Sequence, residues 1–277
     1  MLRTRVITAL ALLAALLPAL FYLPPLAWAW VVAGLSAIAG WEWGGFMRLE
    51  KTARVVLGTV FFALCSTAIV LQPAAMGGAG WGLDAAWQFA RWFYLPAAIF
   101  WFCALPFWLW RRWPLPGRIG GLAIGLVVIL PTCLALVQLR QLGAWTLVCV
   151  MAIVWAADVA AYFAGRAFGK RKLAPSISPG KTWAGAWGAM LGVQVYGFAA
   201  SAWLPQAMQG STALFVATLL LLTVLSIVGD LFESLLKRQA GLKDSSAVLP
   251  GHGGVLDRID SLTSTLPLVA MLWLLVS

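Results

Sequence analysis

Apolar positions in this chain are gathered into long blocks rather than spread at a short period. Nine apolar runs stand at roughly 6–22, 26–47, 55–72, 93–110, 119–139, 143–165, 183–204, 212–236 and 261–276. A helix needs about 20 predominantly apolar residues to cross the hydrocarbon of a bilayer, so each run predicts one span, the last of them short. Pro24 and Pro25 divide the first two runs. Residues 73–92 are Gly-rich with an aromatic tail ending near Trp92, and read as a loop with or without an interfacial helix. The expected fold class is therefore all-α: a polytopic integral membrane protein with about nine transmembrane helices.

The first run has a competing reading. Arg3 and Arg5 precede it, and Ala27-Trp28-Ala29 resembles the small-x-small site of a cleaved signal peptide. The run is long for a signal sequence and more spans follow, which favours a retained helix. Basic residues then orient the chain. With the N-terminus in the cytoplasm, Arg3, Arg5, Arg48, Lys51, Arg54, Arg111, Arg112 and Arg118 fall on the inside. So do Arg166, Lys170, Arg171, Lys172, Lys181, Lys237, Arg238, Lys243 and Arg258. That places 17 of 19 basic residues on one side and leaves only Arg91 and Arg140 outside. A wrong span count would scramble this alternation, so the asymmetry supports both nine spans and a cytoplasmic N-terminus.

Composition agrees. The 277 residues are 62% hydrophobic and only 10% charged, with a mean hydropathy of +0.92. Soluble domains are about 45–50% apolar and about 25% charged, so a water-soluble globule and a disordered chain are both excluded. Nine spans consume the chain and leave no separate soluble domain. The net charge of +10 lies in short clusters between apolar runs. It follows the positive-inside bias and can attract phosphorylated ligands; no nucleic-acid module is present. Cys65, Cys103, Cys133 and Cys149 each stand alone in an apolar run and are expected as small buried hydrophobes.

With nine carboxylates in all, their positions are informative, and six fall in the last 120 residues: Asp158, Asp230, Glu233, Asp244, Asp257 and Asp260. Acids inside spans are costly and face a polar cavity or a partner. Asp158 lies eight residues before Arg166, roughly 12 Å below the end of its helix. It is either a structural acid paired with a cation or part of a cytoplasm-facing cavity shared with Tyr162, one turn on. Asp230, Glu233, Ser234 and Lys237 fall on one helical stripe. Asp257-Arg258-Ile259-Asp260 opens the last span with two acids three residues apart. Helix capping accounts for one of these acids but not for both with an Arg and the adjoining His252-Gly253-Gly254.

Magnesium sites commonly pair one or two carboxylates with substrate phosphates. Asp230 and Asp257, from two helix ends, are the candidate metal ligands, with the neighbouring basic residues left to hold phosphate oxygens. His252, the only histidine, sits among glycines in a turn where backbone can approach a ligand. The loop Ser176–Thr182 resembles a phosphate-cradling turn but lacks the spacing of a P-loop. Its Thr182 can cap the seventh helix.

At these residues the chain resembles the phosphatidate cytidylyltransferase (CDP-diacylglycerol synthase) family. Residues 234–260 fit the family pattern S-x-apolar-K-R-x4-K-D-x-small-x2-apolar-P-x-H-G-G-apolar-x-D-R-apolar-D. About fifteen constrained positions make a chance match improbable. Gly229-Asp230-Leu231-Phe232-Glu233-Ser234 is similar to the family's G-D-x-x-E-S, and two more motifs are matched by Asp158 with Ala161-Tyr162 and by Ser178-Pro179-x-Lys181-Thr182. The strong resemblance covers residues 155–188 and 229–260; the first 150 residues match only in being multi-span. Gly180 replaces a customary Lys, which implies weaker phosphate contacts in that loop, and Ala184 a common Glu, which implies a lost salt bridge or outer metal contact.

The resemblance implies the reaction CTP + phosphatidate → CDP-diacylglycerol + diphosphate in phospholipid biosynthesis. It implies Asp230 and Asp257 as magnesium ligands, with potassium as a second cation. Lys237, Arg238, Lys243 and Arg258 would neutralise phosphates. Asp158, Glu233, Asp244 and Asp260 would organise metal waters or the nucleotide, with Asp260 counted beside Asp230, Asp257, Lys237 and Arg258 in the catalytic set. Ser178, Lys181 and Thr182 would contact substrate phosphate, and Ser234 and His252 line the same site. Residues 1–142 would be the helical scaffold and 143–277 the catalytic part. A homodimer and a bacterial inner membrane, with the site facing the cytoplasm, follow from the resemblance alone. Three other readings stay open: a polyprenol or lipid kinase, an ion-coupled transporter using Asp158, and an inactive paralogue. The pattern of CDP-alcohol phosphotransferases is absent.

Overall fold

The computed structural model describes residues 2–78 and 87–276, with the backbone alone for residues 2–5. Nine helices lie among the described residues where the apolar runs place them. They are α1 (Leu2–Tyr22), α2 (Pro25–Phe46), α3 (Lys51–Leu71), α4 (Gln88–Arg111), α5 (Gly117–Gln141), α6 (Ala144–Phe168), α7 (Trp183–Ala199), α8 (Thr212–Ala240) and α9 (Leu256–Val276). Their ends follow local chemistry. Pro25 occupies the first turn of α2, where its missing N–H leaves nothing unsatisfied. Gly241, at φ +76, closes α8 in the left-handed conformation that glycine adopts without strain. In α4, the five-residue π turn Phe100–Ala104 follows Pro96, which has no N–H for the regular ladder.

Six helices, α3, α4, α5, α6, α8 and α9, are long and apolar enough to cross a membrane. In α1 a shorter apolar stretch, Val6–Tyr22, joins them. The outer face of α3 shows what surrounds the molecule: Val55, Val56, Val60, Phe62, Leu64, Val70 and Leu71 are all exposed. Such a surface is stable in lipid and not in water. Three of the four cysteines are buried as expected, but Cys103 is exposed on α4. Part of the expected 73–92 loop, residues 79–86, lies outside the described residues.

The structure agrees with the all-α expectation and adds one small element to it. The polar segment after α6 forms a hairpin of β1 (Lys172–Ala174) and β2 (Ser178–Thr182), paired antiparallel with Lys172 opposite Thr182 and Ala174 opposite Ser178. A short segment with Pro179 and Gly180 cannot sustain a helix, and the hairpin satisfies its backbone locally. Thr182 ends β2 and caps α7, its hydroxyl accepting from the Gly185 amide at 3.1 Å.

Helix α9 stands at the centre, packed on α8, α5 and α4. Its Ser261, Thr263, Ser264 and Thr265 are buried; the two threonine hydroxyls donate to carbonyls within α9, and the two serine hydroxyls bond across to α8. Ser261 Oγ donates to the Ser226 carbonyl at 2.9 Å and Ser264 Oγ to the Leu225 carbonyl at 2.8 Å. Lipid supplies no hydrophobic drive between helices, so close packing and such bonds hold them. On the other side α2 is tied to α5, Trp28 Nε1 donating to the Leu136 carbonyl and Trp43 Nε1 to the Gly121 carbonyl.

Small residues bring α6 and α7 together. Gly188 faces Ala160 and Ala164, and Gly192 faces Ala160 and Ala156, with no room for a Cβ at either glycine. This contact seats Asp158 of α6 beside the start of α7. A Gly188→Leu substitution should push the two helices apart and destabilise the fold by about 1–3 kcal/mol. A lowered Tm of the detergent-solubilised protein would show it, and an unchanged Tm would contradict the packing described here.

Candidate functional site

The polar ends of α6, α8 and α9 meet at one level of the molecule. Helix α8 has 29 residues and is about 44 Å long, against about 30 Å of hydrocarbon. It is longer than an upright span requires, and its C-terminal turns carry Asp230, Glu233, Ser234 and Lys237. The expected stripe is realised: Ser234 Oγ donates to Asp230 Oδ1 at 3.1 Å, and Lys237 Nζ donates to Glu233 Oε2 at 3.0 Å.

Lys237 also reaches across to α9, where its ammonium is 2.6 Å from Asp257 Oδ1. The other Asp257 oxygen accepts three bonds, from Ser245 N and Ser245 Oγ at 2.8 Å and from Gly254 N at 2.7 Å. One carboxylate thus folds the 241–255 loop onto the start of α9 and receives the lysine of α8. The paired glycines follow from this. Gly253 adopts φ +80, and a Cβ there would collide with the Asp257 carboxylate; one on Gly254 would collide with Ser245 Oγ and Glu42 Oε1.

A second pair joins the hairpin to α8. Lys181 Nζ lies 2.6 Å from Asp230 Oδ2 and 3.3 Å from the Ile227 carbonyl. Above it a cavity of about 380 Å³ is lined by Asp158, Tyr162, Arg166, Lys172, Lys181 and Thr182, with an apolar wall of Ala157, Ala161, Ala186, Ala189 and Ile227. Asp158 opens into this space, and Tyr162 shares its face as the spacing predicts. Arg166 donates to the Tyr162 hydroxyl at 3.1 Å. Gly180 also lines the cavity, and a side chain there would meet no atom within 4 Å. A second hollow, of about 530 Å³, is lined by Lys243, Asp244, Ser246, His252 and Arg258 on the loop side of Asp257.

Asp158, Asp230 and Asp260 lie close enough to repel one another, and Glu233 stands in the same range of both Asp257 and Asp260. Lys181, Lys237 and Arg258 stand within charge range of members of this group. Glu233 Oε1 is buried without a hydrogen-bond partner. No three acidic, His or Cys side chains form a ready-made cation cage among the described residues. The gathered carboxylates nevertheless suit a divalent cation, and Lys181 and Lys237 stand where such a charge would compensate Asp230 and Asp257.

The sequence-predicted residues thus divide. Asp158, Lys181, Thr182, Asp230, Glu233, Ser234, Lys237, Asp257 and Asp260 converge, while Lys243, Asp244, His252 and Arg258 line the adjoining hollow. The side chains of Ser178 on β2 and of the exposed Arg238 make no hydrogen bond or ion pair among the described residues. Sequence reasoning missed Glu42. This α2 residue is fully buried, and its carboxylate accepts from Ser246 Oγ, Val255 N and Leu256 N at 2.6, 2.9 and 2.7 Å. An acid between two tryptophans in an apolar run was the available signal.

Apolar helices that carry buried acids and lysines at one end, beside cavities rich in cations, define a membrane-embedded site for anionic substrates. Comparison with known proteins narrows the class. The cytidylyltransferase family matches residues 3–276. A phosphatidate cytidylyltransferase of Pseudomonas aeruginosa is 38% identical over 282 residues, covering 99% of this chain and 97% of the relative. That of Haemophilus influenzae is 34% identical, with 96% of each chain covered. One from Brucella suis is 35% identical over 84% of this chain and 72% of its own. The chain belongs to the cytidylyltransferase family.

Removing the Lys237 ammonium leaves Glu233 and Asp257 facing each other without a cation. A Lys237→Met variant should lose about 3–5 kcal/mol of stability, as expected for a broken buried pair. Unfolding in a denaturing-detergent titration would measure it; a variant as stable as the parent would show that the pair holds nothing together.

Proposed function

We propose that this chain is a phosphatidate cytidylyltransferase, joining CTP and phosphatidate to give CDP-diacylglycerol and diphosphate. The observation that carries the reading is the near-complete match to bacterial chains of that name, which spans both the helices and the polar site. The geometry supplies a reason why the chemistry suits the place. A lipid phosphate resides at the bilayer surface and CTP in water, so the enzyme needs an apolar approach and a cationic one that meet. The 380 Å³ cavity combines apolar and basic walls, and the 530 Å³ hollow is loop-built and polar.

In the reaction an oxygen of the lipid phosphate attacks the α-phosphorus of CTP. The new O–P bond forms as the bond to the β-phosphate bridging oxygen breaks, and diphosphate leaves. A phosphate monoester is already a competent nucleophile, so positioning and charge neutralisation carry most of the catalysis. Lys181, Arg166 and Lys172 would hold one phosphate group, and Lys243 and Arg258 those of the other substrate. Ser178, Thr182 and His252 would shape the two entrances, with Arg238 drawing anionic substrate toward the surface. Asp230 and Asp257 would hold magnesium, with Asp158, Glu233, Asp244 and Asp260 organising its surroundings and potassium as a second cation. Magnesium, when bound, neutralises charge on the transferring phosphate.

The finer topology belongs to the same proposal: nine spans, with α1, α2 and α7 completing the six, an N-terminus in the cytoplasm and the site on the cytoplasmic face of a bacterial inner membrane. The asymmetry of basic residues supports it. Residues 143–277 would carry the chemistry on a scaffold of residues 1–142, and two copies would pair as a homodimer.

Two outcomes test this. Purified protein in mixed micelles with phosphatidate, magnesium and CTP labelled at the α-phosphate should place label in the lipid. Asp230→Asn and Asp257→Asn should each lower the rate by roughly a hundredfold or more, the order of one lost charge-stabilising contact. Label in lipid only from γ-labelled CTP would instead identify a kinase. For orientation, a single cysteine introduced at exposed Lys170 in a chain cleared of its own cysteines should react with an impermeant maleimide only from the cytoplasmic side of sealed vesicles. Reaction from the periplasmic side would overturn the topology.

A further inference from the structure

We infer that Glu42 is a positioning residue for the reaction, setting the place of Asp257 from the opposite half of the chain. The inference rests on the cytidylyl-transfer reading of the site.

Glu42 has no exposed surface and no Lys, Arg or His within ion-pair distance among the described residues. An isolated buried carboxylate would be strongly unfavourable. Here donors surround it. Oε1 accepts from Ser246 Oγ at 2.6 Å and Val255 N at 2.9 Å. Oε2 accepts from Leu256 N at 2.7 Å and lies 3.2 Å from Ser245 Oγ. Val255 and Leu256 present the unpaired amides that open α9, immediately before Asp257, and the helix dipole favours a negative charge there.

The same loop is held from its other side by Asp257, which accepts from Ser245 N, Ser245 Oγ and Gly254 N. Ser245 Oγ therefore stands between two carboxylates with one proton to give, and the shorter contact, 2.8 Å, is to Asp257. Glu42 is left to fix Ser246 and the helix start. Gly254 completes the fit, since any side chain there would occupy the space of the Glu42 and Ser245 oxygens. Glu42 lines neither cavity, so it acts through the loop and Asp257, not on substrate.

A carboxylate, rather than a glutamine of the same shape, is required. Both oxygens face backbone N–H groups that cannot turn round, so an amide nitrogen at either position would set donor against donor. This makes Glu42→Gln an isosteric test. In the labelled-CTP assay Glu42→Gln should lower kcat roughly 10–100-fold, the range for residues that orient metal ligands. It should raise the magnesium concentration for half-maximal rate and leave KM for CTP within about twofold. Glu42→Asp, which keeps the charge, should recover part of kcat.

Ser246→Ala removes a single Glu42 donor and should lower kcat by a smaller factor. The double variant Glu42→Gln/Ser246→Ala should be no slower than Glu42→Gln alone, because both changes cut one connection. A Glu42→Gln protein with parental kcat and magnesium dependence would overturn the inference. So would losses that multiply in the double variant, or a lowered Tm with unchanged kinetics in the folded fraction. Should Glu42→Gln not fold, Glu42→Asp and Ser246→Ala carry the test, and parental kcat in both overturns it. Failure of the parent chain to transfer label would instead remove the functional reading itself.

Discussion

A lysine ammonium held between two carboxylates is the contact on which the polar end of this molecule depends. Lys237 of α8 bonds Glu233 on its own helix and Asp257 on α9. Taking three charges out of water is expensive, and only tight geometry with further hydrogen bonds offsets it. The further bonds are present: Asp257 gathers Ser245 and Gly254 as well as the lysine. One residue therefore joins two long helices and the loop between them. Movement of any of these parts would expose or strand a charge.

The apolar part of the molecule is organised by a different rule. Between helices in lipid there is no water to expel, so contact distance decides. Gly188 and Gly192 of α7 let its backbone approach the alanines of α6. Buried serines of α9 bond to carbonyls of α8. These contacts bring Asp158 and Lys181 to one cavity and set Asp230 against Lys181, although the three come from separate segments. The charged cluster they form with Asp260 has chemical meaning only because the helices that carry them pack so closely.

On the proposed reaction, the two cavities answer a problem of solubility. One substrate arrives laterally through lipid and the other from water, and their phosphates must meet. A site inside the bilayer would exclude the nucleotide, and one far above it would exclude the lipid. Helix α8, longer than the hydrocarbon is thick, would place its acids and lysine at that boundary.

Much of this was legible in residue order. Blocks of apolar residues set the nine helices within a few residues, because helix boundaries in such chains are marked by Pro, Gly and charge. The stripe Asp230, Glu233, Ser234 and Lys237 followed from helical spacing alone, and Thr182 was recognisable as a cap. Family motifs drew attention to Asp257, Lys181 and His252. Contacts across hundreds of residues were not legible. Nothing local couples Glu42 to Ser246, Val255 and Leu256, since their partnership requires α2 to pack beside the start of α9. The hairpin at 172–182 was hidden for a related reason: its short strands have no periodic signal of their own. Local sequence determines helices and stripes because their geometry repeats every few residues. Only the packed chain decides which carboxylate meets which cation, because charge pairing in a half-buried site depends on distances that no local pattern encodes.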